Sequence, residues 1–168
     1  MKIRGGFVSN SSSTSFTFVF KEDNIEDCFN ILKKYKDYFN LYDIDTGTSI
    51  NGDEVIAQMK SYIDEVYHID NCLVELEEQK QSYFNIMQED KKRGFEDDLF
   101  YSLYNDAQMK VEKIKDLKDK GFRSFFSINF GDNHGDISGP PIGSGMDYEG
   151  RDIELKEDDV YMFTEQDR

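Results

Sequence analysis

SFTFVF, residues 15–20, is the stretch whose reading decides the fold. Phe16, Phe18 and Phe20 alternate with Thr17 and Val19, the two-residue period that puts every second side chain on one face of a strand. A strand with phenylalanine along one face needs a second apolar surface to cover it. Matching sequence lies far along the chain. In SFFSINF, residues 124–130, Phe126, Ile128 and Phe130 fall on one face in the same rhythm. Residues 151–155 and 160–163 read as two further short strands, and TEQDR, 164–168, as a frayed tail. Aromatic strands at both ends of a chain close a core only by joining in one sheet.

Between the ends the period changes to that of helices. Glu22-Asp23-Asn24 offers a helix start, with acids where the helix dipole favours them, and Ile25, Phe29, Leu32, Tyr35 and Phe39 follow at spacings of three and four. DIDTGTSING, 43–52, breaks the pattern with turn formers. From Val55 the helical period returns through Met59, Tyr62, Val66, Ile69, Leu73 and Leu76, and resumes at Tyr83 and Met87 after a lapse at Lys80. DKKRG, 90–94, interrupts it. A second seam runs through Leu99, Leu103, Ala107, Ile114 and Leu117, and Gly121 is placed to cap it. Two such seams around a short polar break predict an antiparallel helical hairpin, each arm about 40 Å long at ~1.5 Å per residue, with a charged and wet outer face. The expected fold is α+β: one domain over 1–168, a small, mostly antiparallel sheet from the N- and C-terminal strands, one covering helix, and a hairpin inserted over about 53–120.

Aromatic residues make up 14% of the chain, too many for a wholly disordered one despite 33% charged residues. No apolar run approaches the ~20 residues of a membrane helix, and MKIRGGFVSNSSS lacks the apolar core of a secretory signal, so a cytoplasmic location is expected. The net charge of −15 disfavours direct nucleic-acid binding, since an acidic surface repels phosphates. Cys28, Cys72, His68 and His134 are scattered singly, without zinc-site spacing, and His68 reads as solvated on the outer half of a helix.

Three segments carry candidate chemistry. Ser11, Ser12 and Ser13 belong to a hydroxyl run behind Gly5-Gly6. Such a run could supply a nucleophile, an anion-binding nest or a modification site, or satisfy the backbone of a turn, the reading we favour. The residues Gly6, Phe7, Val8, Ser9, Asn10, Ser11, Ser12, Ser13, Ser15 and Phe16 resemble a string that opens many uncharacterised proteins of bacteriophages and bacteria. That resemblance implies a phage or mobile-element origin and no particular activity. Residues 38–59 resemble an EF-hand, with Asp43, Asp45, Asn51 and Glu54 at ligand spacings, which implies calcium. Gly47 and Thr48 depart from that pattern, and the competing reading is a polar turn with Asn51 or Asp53 capping the next helix. Asp132, His134 and Asp136 sit in a long Gly-rich loop, 131–150. Their Asp-Asn-His run resembles a metallophosphoesterase loop, but the further motifs of those enzymes are missing. Loops of this length are uncommon without a role.

These features point to a non-enzymatic accessory protein of phage type. It would bind a host or phage protein with a basic surface, and modulate or inhibit it by occupying a site meant for nucleic acid. The alternatives are a metal-dependent hydrolase or transferase using the 131–150 loop, and a virion or assembly component whose hairpin pairs with itself.

Overall fold

A computed structural model of the chain describes residues 14–39, 41–42, 49–94, 98–130 and 155–166. The fold is α+β, with a four-stranded sheet and two long helices paired as a hairpin. Two compact units emerge. One is built from the described residues up to Tyr67 together with those from Arg123 onward; the other is His68–Phe122.

In the first unit, strand β1 (Thr14–Phe20) lies between β5 (Ser124–Phe130) and β6 (Val160–Gln166), antiparallel to both. Its register sets Phe18 opposite Phe126 on one side and Met162 on the other, and Phe16 opposite Ile128. Side chains directly opposite across a ladder share a face, so the phenylalanine face of β1 is continued by both neighbours. Phe18 is the hub of that face, with ring centroids 5.3 Å from Phe126, 5.9 Å from Phe39, 6.4 Å from Phe20 and 6.5 Å from Phe16. β6 pairs with β1 as far as Gln166, so residues 164–166 belong to the sheet and not to a frayed tail. Sequence alone hides this, because Thr164-Glu165-Gln166 has no apolar alternation and is held through its backbone.

Helices α1 (Ile25–Lys34) and α2 (Gly52–Tyr62) bring Cys28, Phe29, Ile31, Leu32, Val55, Ile56 and Met59 into the core of this face. Asn24 caps α1, its side chain accepting from the N–H of Glu26 at 2.8 Å. The expected helix through Phe39 stops earlier. Tyr35 ends α1, and Phe39 reaches the core from a 3-10 turn, Lys36–Phe39. A two-residue ladder, β2 (Leu41–Tyr42) with β3 (Ser49–Ile50), leads into α2.

The helical period read from Val55 to Met87, with its lapse at Lys80, is interrupted earlier than that. α2 ends at Tyr62, residues 63–66 are non-helical, and β4 (Tyr67–His68) adds to the sheet beside β5 before α3 (Ile69–Arg93) begins. Ile63 and Val66 pack against the core while Tyr67 sets its ring 6.0 Å from Phe125. Tertiary demand overrides a helical period that happens to continue through these residues. The hairpin unit spans 68–122.

In that unit α3 pairs with α4 (Asp98–Asp119), helices about 37 Å and 33 Å long at 1.5 Å per residue. Ile69, Cys72, Ala107, Val111, Ile114 and Leu117 are buried. Gly94, at φ 79°, closes α3. Gly121, at φ 90°, closes α4: its N–H donates to Lys118 and that of Phe122 to Leu117, the paired bonds of a Schellman cap. No helix among the described residues is long and apolar enough to cross a membrane.

Candidate functional site

The sheet unit gathers acids from two distant segments. The first follows β1, where Glu22, Asp23, Glu26 and Asp27 surround the start of α1. The second is the turn Glu157-Asp158-Asp159, held by a bond from the Glu157 N–H to the Val160 carbonyl at 2.9 Å and by the bridge between Lys156 and Tyr161. The N–H of Lys21 donates to the carbonyl of Asp159 at 3.2 Å, which ties this turn to the residue preceding Glu22. Tyr35 donates its hydroxyl to Asp159 at 2.9 Å, Lys34 pairs with the same carboxylate at 3.2 Å, and Tyr38 reaches Glu157 at 3.5 Å.

Two titratable groups register the resulting field. Tyr35 is pushed up to about 12 by partial burial, by its bond to Asp159, and by the carboxylates of Asp159, Glu157 and Asp158. Cys28 is pushed up to about 11, chiefly by burial, with Glu22, Asp27 and Asp23 adding to the rise and the contact with Ser124 opposing it. At neutral pH both therefore stay protonated, and a protonated buried thiol is not a nucleophile. Cys28 and Ser124 lie 3.7 Å apart, and Ser124 donates to the Glu22 carbonyl at 2.5 Å, so these groups close a buried polar contact instead of forming a reactive pair. Cys72 is a second buried thiol.

Of the four residues at EF-hand ligand spacings, Asn51 and Glu54 are described. Asn51 is the N-cap of α2, its side-chain oxygen accepting from the Glu54 N–H at 3.0 Å. This is the helix-capping role expected of Asn51. A 3-10 turn precedes this segment, and Ile50 pairs with Leu41. Glu54 is exposed. Asp43 and Asp45 lie outside the described residues, as do Ser11, Ser12, Ser13, Asp132, His134 and Asp136. Only their chain neighbours are placed: Thr14, which follows the serines, pairs with Phe130, which precedes the Gly-rich segment. His68 is exposed but is not mid-helix. It caps α3, its Nδ1 accepting from the Asp70 N–H at 3.3 Å.

The acid ridge escaped the sequence reading. Its halves stand more than a hundred residues apart, and the register of β6 on β1 brings them together. Comparison with protein-family models, curated proteins and solved structures finds no match to this chain.

Proposed function

We propose that this chain is a protein-binding module that sets the acid ridge of its sheet unit on a basic surface of another protein, a host protein in the phage setting implied by its opening residues, and so blocks a site meant for nucleic acid. The observation carrying this reading is the Lys21–Asp159 backbone bond, which unites Glu22-Asp23 with Glu157-Asp158-Asp159. A concentrated negative field raises the encounter rate with a basic partner and imitates the charge of a phosphate backbone.

The test is binding to a basic nucleic-acid-binding protein recovered from host lysate, followed across a salt series. Affinity should fall at least about tenfold as the Debye length shortens from about 10 Å to 3 Å. Asp23→Lys with Asp158→Lys should weaken binding at low salt, and duplex DNA should compete. Salt-insensitive binding that survives both substitutions would refute the reading.

One observation favours a second reading. The Thr14–Phe130 pairing brings the chain out of the serine run and into the Gly-rich segment at one end of the sheet. A hydrolase or transferase built there would lose its activity in the His134→Ala, Asp136→Ala variant, which the ridge reading leaves fully able to bind.

A further inference from the structure

His68 is the first residue of the hairpin unit and the N-cap of α3. The usual caps are Ser, Thr, Asp and Asn, whose oxygens accept a backbone N–H without regard to a proton near neutral pH. An imidazole can cap only through a ring nitrogen that carries no proton. Here that atom is Nδ1, 3.3 Å from the Asp70 nitrogen, so the neutral ring keeps its proton on Nε2. The same Nδ1 stands 3.5 Å from the Asp70 carboxylate, which Lys118 of α4 holds at 2.5 Å. One ring atom therefore faces both a donor and an acceptor of a single residue.

The surroundings leave that atom open to a proton. The His68 side chain is 61% exposed. Asp70 is the acid beside it on α3, and Lys118 is the cation that α4 brings to the same carboxylate. Glu65, on the segment before β4, is engaged by the Tyr67 hydroxyl at 2.7 Å. Strand β5, beside β4, carries no titratable side chain. Lys118 holds Asp70 below the ordinary carboxylate range, so Asp70 stays ionised over the interval in which histidines change charge.

We propose that His68 is a proton-driven switch in the cap of α3. With the ring neutral, Nδ1 accepts the Asp70 N–H. A proton from water on Nδ1 removes that lone pair, so the ring becomes a donor to the Asp70 carboxylate and the Asp70 N–H is left to solvent. The helix dipole opposes a cation at this end of α3, which leaves the carboxylate as the group that draws the imidazolium. The imidazolium then shares the carboxylate with Lys118, and the tie between α3 and α4 slackens. Mild acid thus uncaps the first turn of α3 and loosens its bond to α4 in one step. This inference is independent of the acid ridge.

The experiment is an NMR titration of the full chain from pH 7.5 to 5.0, following the His68 ring and the Asp70 amide. The amide proton should move upfield as its bond is lost, in step with the ring signals. His68→Asn keeps a capping oxygen and cannot take up the proton, so in that variant the Asp70 amide should hold its position throughout. Lys118→Met should destabilise the parent chain in urea more at pH 7.5 than at pH 5.0, and equally at both in the His68→Asn background. Circular dichroism confirms that each variant is folded. An Asp70 amide that stays still while the His68 ring titrates would overturn the proposal, as would an amide that moves equally in His68→Asn. So would a Lys118→Met loss that is the same at both pH values in the parent chain.

Discussion

Gly52 stands at the first helical position of α2 with no room for a side chain: a Cβ there would come within 1.8 Å of the Lys36 carbonyl oxygen. The obstruction is backbone and cannot rotate away, so Gly52→Ala must push the 3-10 turn off α2 and move Phe39 out of its contact with Phe18. Overpacking of this kind costs about 1–3 kcal/mol. Asn51→Ala, one residue earlier, removes only the cap bond to Glu54 and should cost about 1 kcal/mol. Urea denaturation of the two variants should rank them in that order. A harmless Gly52→Ala would mean that the turn yields freely. The pair also separates two uses of neighbouring turn residues that look alike in the sequence, one supplying a hydrogen bond and the other an absence of atoms.

The hairpin is the element whose stability depends on its surface. Asp70 is held below the ordinary carboxylate range by its bond to Lys118, Glu77 by Lys80 and Lys115, and Asp116 by Lys120. A depressed folded value means stabilisation that is complete above the unfolded-state pKa and lost as pH falls through the folded one, so these three weaken the hairpin in acid. Glu75 has the opposite sign. Partial loss of hydration and the neighbouring carboxylate of Glu78 raise it although Glu75 is largely exposed, so its ionised form opposes folding only weakly at neutral pH, and that opposition is relieved as pH falls through the raised value. Glu75→Gln should therefore stabilise the hairpin at pH 7 by up to about 0.5 kcal/mol, the scale of like-charge pairs at helical spacing, and the gain should vanish in acid. Hydrogen exchange at the amides of α3 would measure it, and a loss of protection at pH 7 would contradict the assignment. Much of this element was legible in advance: the α4 seam, the paired helices and the Gly121 cap all follow from spacing. The break at 63–66 was not, since no Gly or Pro marks it and Val66 keeps the helical period while serving the sheet unit's core.

Across the whole molecule, the sheet was readable because Phe16, Phe18 and Phe20 have no use other than facing apolar partners, whereas the ridge was not, because acids carry no period and their gathering depends on strand register. What the sequence does state openly is the charge of −15, with 35 acids against 20 bases. Two opposed effects of salt follow from it. Screening weakens the surface ion pairs, such as Lys118–Asp70 at 2.5 Å and Lys36–Asp53 at 2.6 Å, and it also relieves the repulsion among the excess acids. Exposed pairs are worth about 0–1 kcal/mol each, and many contribute nothing measurable, while the repulsion acts between every pair of excess charges closer than a Debye length. That length falls from about 30 Å to 8 Å between 0.01 and 0.15 M salt. Relief of repulsion should win, and at a concentration that keeps the chain monomeric the melting temperature should rise by about 2–5 °C over that range, equivalent to roughly 1 kcal/mol for a chain of this size. Because the ridge concentrates that repulsion, reversing Asp23 and Asp158 to lysine should flatten the rise and lift the low-salt melting point. A melting temperature that falls with salt in the parent chain would instead mean that its ion pairs act as a network and that the acids are too dispersed to form a binding field.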